Sequence, residues 1–105
     1  MRVIDKRDAF VRVLGVRMAE TDSGAVLLDP IGRWFFALND VGVTIWRLLD
    51  RPVGVSAIVQ GLSEHYGDEP EVGVYERDAL SFLERLESGR LIRRVNAHAR
   101  ASNKA

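Results

Sequence analysis

Imidazoles, carboxylates and clustered aromatics are the side chains of this sequence with the means to do chemistry, and their spacing sorts them. The chain has two histidines: His65 falls near the end of a helical pattern and His98 in a polar tail. Acid–base or nucleophilic catalysis needs a base within reach of a nucleophile and donors for developing charge, criteria that isolated surface histidines rarely meet. His65 reads instead as a solvated residue that complements a helix C-terminus. Glu84 with Glu87, and Glu71 with Asp78, can be written as carboxylate pairs, but charge on a solvated helix face accounts for them. The nine glycines are scattered, with no phosphate-cradling spacing. Gly42 and Gly61 fall inside helical patterns, where they permit close packing. The expectation is a protein that is not an enzyme, has no catalytic residues and carries no cofactor or metal.

The absence of cysteine removes disulfides, thiolate nucleophiles, cysteine zinc sites and iron–sulfur ligation, and it points to a reducing, cytoplasmic setting. Met1 to Phe10 interleaves Arg2, Asp5, Lys6, Arg7 and Asp8 with single apolar residues, unlike a secretory signal. No stretch approaches a membrane span. Fifteen basic and fifteen acidic residues cancel, so no overall field draws the chain to nucleic acid or to an anionic membrane.

What remains is the run Trp34-Phe35-Phe36. Successive side chains of a strand point to opposite faces, so consecutive aromatics cannot all enter one core. Either Trp34 and Phe36 face the helices while Arg33, Phe35 and Ala37 face away, or the reverse. Core packing is one account of the run. The other is a sheet edge whose unpaired N–H and C=O groups accept an extended peptide as an added strand.

The elements that would hold such an edge follow from periodicity. Phe10 to Met18 alternates as a first strand, with turn chemistry in Glu20 to Gly24. Ala25 to Leu28 is a second strand, ended by Asp29-Pro30-Ile31-Gly32, and Arg33 to Leu38 a third. Asn39 or Asp40 caps a helix with Val41, Ile45, Leu48 and Leu49 on its apolar stripe and Trp46 on its flank, ending near Asp50-Arg51-Pro52. Ser56 is the expected N-cap of a second helix, with Ile58, Val59 and Leu62 inward and its end at Tyr66-Gly67. A third helix starts between Glu69 and Val74, with Pro70 suited to its first turn. It carries Val72, Tyr75, Ala79, Phe82, Leu83 and Leu86 and stops at Ser88-Gly89. Leu91-Ile92 allows a short terminal strand. The expectation is one domain over residues 1–95 and a flexible basic tail over 96–105. Its class is α+β, winged-helix-like: a three-stranded antiparallel sheet followed by three helices.

The ordered set Val26-Leu27-Leu28-Asp29, Gly32-Arg33-Trp34-Phe35-Phe36-Ala37-Leu38-Asn39 and Val41 to Asp50 resembles the PqqD family, proteins D of pyrroloquinoline-quinone biosynthesis. Ser56 to Leu62, Tyr66, Asp78 to Leu83, Leu86, Gly89 and Leu91-Ile92 continue the resemblance in order and spacing, over roughly residues 10 to 95. The chain departs from the family pattern at Gly89-Arg90-Leu91-Ile92, where relatives read Gly-Leu-Leu or Gly-Leu-Ile. The resemblance implies a winged helix-turn-helix that binds the leader of a ribosomally made precursor peptide and presents it to a modifying enzyme or leader peptidase. It implies a leader strand beside Arg33, Trp34, Phe35, Phe36, Ala37 and Leu38, in a cleft completed by Arg77, Asp78, Ser81, Phe82 and Arg85. Phe35 or Phe82 would form an apolar floor, and Arg77 or Arg85 would pair leader carboxylates. Such proteins serve quinone-cofactor, lasso-peptide and other pathways, and Gly32 to Phe35 with Asn39 to Gly42 looks closest to the lasso type.

Two other classes compete. A winged helix can enter the DNA major groove, but Glu71, Glu76, Asp78, Glu84 and Glu87 outnumber Arg77 and Arg85 on the third helix and would repel phosphates. The basic residues gather at Arg90, Arg93, Arg94, Arg100 and Lys104. A scaffold that pairs with itself into a homodimer through the aromatic edge is the other.

Overall fold

The computed structural model describes residues 4, 5 and 7 to 95. The expected tail from Asn96 to Ala105, with His98, lies outside the described residues. The elements run β1 (Ala9–Arg12), β2 (Arg17–Thr21), β3 (Gly24–Leu28), β4 (Phe35–Leu38), α1 (Asp40–Leu48), β5 (Val53–Gly54), α2 (Val55–Tyr66), α3 (Val74–Ser88) and β6 (Ile92–Val95). The class is α+β, with the three expected helices but two three-stranded antiparallel sheets where the alternation suggested one. The first sheet has the order β5-β1-β6 and the second β2-β3-β4.

The extra sheet arises because the run from Phe10 to Met18 is not one strand. Gly15 takes φ +94°, a value that L side chains resist, and the Val16 N–H donates back to the Val13 carbonyl at 3.3 Å. The chain turns there, which leaves Leu14 95% exposed. The residues before the turn pair with β5 and β6, and those after it pair with β3. The terminal strand suggested by Leu91-Ile92 is β6, whose Val95 lies opposite Ala9.

The core between the sheets and helices contains Phe10, Leu27, Ile45, Leu49, Ile58, Leu62, Leu83, Leu86 and Leu91, all essentially removed from water. Each such side chain contributes about 1.5–3 kcal/mol of burial. Trp46, expected on a flank, is at the centre and 1% exposed. Its burial follows from the first sheet, since Arg12 of β1 lies over its ring at 4.9 Å and donates to its backbone carbonyl at 2.7 and 3.0 Å. That guanidinium covers the indole and caps the Trp46 carbonyl near the end of α1.

Helix ends follow local chemistry. Asn39 caps α1, its Oδ1 accepting the Gly42 N–H at 2.9 Å. Gly54, not Ser56, is the N-cap of α2, and no side chain serves it; Ser56 sits inside the first turn because β5 runs directly into the helix. The start of α3 is set by Glu69, whose carboxylate accepts the N–H groups of Gly73 at 3.1 Å and Tyr75 at 2.8 Å. Pro70 and Val72 therefore precede the helix, and Val72 is 99% exposed instead of joining the apolar stripe.

At the other end of α3 the departure at Arg90 has a defined geometry. Gly89 is the C-cap and Arg90 takes the left-handed conformation at φ 63°. Leu91 donates to Leu86 and Arg90 to Glu87, both at 3.0 Å. This is the Schellman pattern with arginine where glycine is usual.

Arg94 of β6 carries a guanidinium withdrawn from solvent. Its side chain is 8% exposed, bonds Glu87 of α3 at 2.7 and 3.0 Å and Asp8 at 2.9 Å, and lies 5.5 Å from the Phe10 ring centre. Hydrogen bonding and charge from Glu87, joined by the charge of Asp8, raise its pKa against the opposing effect of burial.

Removing one member of such a set strands the others in low dielectric. Arg94→Ala is expected to lower unfolding stability by about 3 kcal/mol, read from urea midpoints. Arg90→Gly is expected to raise it by about 0.5–1 kcal/mol, because relief of the left-handed strain exceeds the entropy that glycine adds to the unfolded chain. Glu69 is held below the usual carboxylate range by the Tyr75 and Gly73 N–H groups, and Asp29 by the Arg33 side chain. A depressed folded pKa means stability that is present above the unfolded value, about 4, and lost as pH falls through the folded value. Urea midpoints should thus fall as pH drops below about 4, with a shallower fall in Asp29→Asn and Glu69→Gln.

Candidate functional site

The turn between β3 and β4 is organised by one carboxylate. Asp29, 4% exposed, accepts the N–H of Ile31 at 3.2 Å, the N–H of Arg33 at 3.3 Å and the Arg33 Nε–H at 3.1 Å. Its own N–H donates to the Trp34 carbonyl at 3.1 Å. Arg33 is therefore occupied within its own turn, although its side chain remains 62% exposed.

That last bond sets which way β4 presents its backbone. Among the described residues β4 pairs with β3 alone, and in an antiparallel ladder successive residues turn their N–H and C=O alternately toward and away from the partner. With the Trp34 carbonyl aimed at β3, the N–H and C=O of Phe35 and Ala37 aim at the open edge.

Side chains alternate the other way. Trp34 and Phe36 are half-buried and Leu38 is buried, whereas Arg33, Phe35 and Ala37 are exposed. Of the two arrangements open from sequence, the first is the one adopted. Phe35, 66% exposed, stands on the outer face in the row Phe35–Leu28–Arg17, beside the row Ala37–Val26–Ala19. This places it on the opposite side of the sheet from α3, so it cannot share a floor with Phe82; Phe36 takes that place.

Helix α3 runs alongside the edge in the opposite direction. At one end a Cβ on Gly89 would come within 2.9 Å of Trp34 Cη2, and at the other a Cβ on Gly42 of α1 would lie 3.3 Å from both Leu38 and the Phe82 ring. Between these ends Phe36 and Phe82 meet edge-on, with centroids 6.3 Å apart and planes at 70°. The Arg85 guanidinium lies 5.9 Å from the Phe36 ring centre and 5.7 Å from that of Phe82. An open strand edge, an aromatic floor and a cation above it thus form one groove.

The remaining helix residues sort by angle. At 100° per residue, Asp78 and Arg85 fall within about 60° of Phe82 on the groove side, and Ser81 about 100° away on that same side. Arg77 lies roughly 140° around the helix, toward solvent. All four are exposed. The structure brings together Trp34, Phe36, Leu38, Phe82 and Arg85, and puts Phe35 and Arg77 elsewhere. Sequence reading gave Gly89 to helix termination alone; its contact with Trp34 is visible only once the helix is docked. His65 stacks edge-on against Tyr66 at 4.5 Å, in the last turn of α2, and no cluster suited to a metal ion occurs among the described residues.

Comparison with known proteins bears on this groove. A lasso peptide synthetase B1 solved in complex with a leader peptide is 27% identical, with a TM-score of 0.66 over 80% of this chain and 96% of that one. TbiB1 in complex with the TbiA(β) leader peptide is 29% identical, with a TM-score of 0.65 over 78% and 93%. The PqqD truncation of Methylobacterium extorquens PqqCD, described as a functional and stand-alone recognition element for ribosomally synthesised and post-translationally modified peptides, is 29% identical, with a TM-score of 0.71 over 87% and 95%. No curated protein gives a significant match. Residues 24–92, from the start of β3 to the start of β6, match the profile of coenzyme PQQ synthesis protein D, and by that match over well over half its length the chain belongs to the PqqD family.

Proposed function

We propose that this protein is a non-catalytic recognition element that binds the leader of a ribosomally made precursor peptide as an added strand and delivers it to a modifying enzyme or leader peptidase. The observation that carries the reading is the unpaired edge of β4, faced by α3 across Phe36, Phe82 and Arg85. Backbone bonds to Phe35 and Ala37 supply affinity that tolerates sequence variation, and alternate leader side chains enter the groove. The family and the leader-bound structures of its neighbours support the same ligand class. The finer architecture belongs to this proposal: α1 to α3 as a helix-turn-helix, with the β2-β3-β4 sheet as its wing. So does the assignment of residues 1–95 to one peptide-binding domain.

Self-pairing has one observation in its favour, a second open edge on β2. Pairing there would leave the β4 groove free. Sedimentation across a hundredfold concentration range decides it: a constant monomer mass excludes the dimer.

Fluorescence polarisation with labelled leaders encoded beside this gene tests the main reading. Saturable binding is expected, and Ala37→Pro should weaken it tenfold or more, because proline deletes the N–H facing the open edge while leaving the β3 ladder intact. N-methylation of the leader on alternate residues should abolish binding in one phase and spare it in the other, a signature that misfolding of a variant cannot imitate. Equal tolerance of both phases would exclude strand addition.

A further inference from the structure

The groove has a charge axis. Arg85, one turn after Phe82 and so toward the Trp34 end, holds its guanidinium over the Phe36 and Phe82 rings, and Arg90 follows the Gly89 that packs on Trp34. On the other side of Phe82 along the helix, toward the Leu38 end, lies Asp78, one turn before it. All three residues are exposed, and none makes an ion pair among the described residues. Phe82 lies between the anion and the cations along the helix.

The backbone register converts this axis into a sequence pattern. In a strand added antiparallel to β4, the leader residues opposite Phe35 and Ala37 exchange backbone bonds and point to the outer face. Those opposite Leu38, Phe36 and Trp34 point into the groove, in that order along the leader. Antiparallel pairing is the more stable arrangement in general. The span is consistent: Asp78 and Arg85 are about 10 Å apart along α3, and side chains four residues apart in a strand are separated by about 13 Å.

From this geometry we infer that the leader segment reads basic–x–apolar–x–acidic from N- to C-terminus, and that the two charged ends of the groove fix its direction. The basic residue meets Asp78, the apolar one packs on Phe36 and Phe82, and the acidic one pairs with Arg85 and Arg90. This rests on the strand-addition reading above and specifies the ligand it accepts. A peptide with the two charges exchanged puts like charges together at both ends of the groove and is rejected by repulsion as well as by lost pairing.

Selection from a yeast-displayed library of random twelve-residue peptides against the immobilised protein tests both levels. The expected outcome is enrichment of the basic–x–apolar–x–acidic order at least tenfold over the exchanged order, reversed when the library is selected on the Arg85→Glu/Asp78→Lys double variant. Both changes lie on the exposed face of α3, and the variant's fold is checked by its circular dichroism. Enrichment of an apolar position without charge order, or an order that does not reverse in the double variant, overturns the inference and leaves strand addition standing. No enrichment of any peptide overturns both.

Discussion

A single guanidinium must be neutralised inside this molecule, and much of the architecture follows from how that is done. Arg94 is held between Glu87 of α3 and Asp8, against the face of Phe10. It therefore ties β6, the segment leading into β1 and the last turns of α3 to one another. A buried ion set is weak as a source of net stability but demanding in its geometry. With α3 anchored on that side by Arg94 and packed through Leu83 and Leu86, its opposite flank is left to stand beside β4 and not upon it. The groove exists because the helix is fixed from behind.

The division of labour along β4 is the second consequence of one local choice. Asp29 gathers the turn and draws the Trp34 carbonyl toward β3. From that bond the period-two alternation assigns every other residue: Phe35 and Ala37 offer backbone to the edge and side chains to the outer face, whereas Trp34, Phe36 and Leu38 offer side chains to the groove. Open backbone groups and groove-facing side chains are thus supplied by different residues of the same short strand. A slip of one residue in register would exchange the two roles and bury Phe35 in place of Phe36.

Much of this was legible in the sequence, and for physical reasons. Helix periodicity and the stops at Asn39, Gly67 and Gly89 located all three helices to within a few residues, because caps and apolar spacing are local signals. The aromatic run pointed to a strand with two covered faces and left open which residues faced which way; that depended on the Asp29–Trp34 bond, which periodicity cannot display. The first sheet was not legible, since its strands come from three distant parts of the chain and its break depends on the backbone at Gly15. Trp46 was misplaced for the same reason, as Arg12 covers it only after that sheet forms. The family resemblance named Phe82 and Arg85, and in the structure both lie beside Phe36. Arg77 was grouped with them, but one helical face separates it from them.

The pairing of Ala9 with Val95 bears on how such a unit can be built into larger proteins. Entry to β1 and exit from β6 are adjacent strand ends in the sheet that does not contain β4. The two strand ends lie side by side, like the two prongs of a plug, in a different sheet from the open edge of β4. The unit is thereby suited to fusion at either terminus, or to insertion within another chain, without redesign of its groove. Its topology makes it portable.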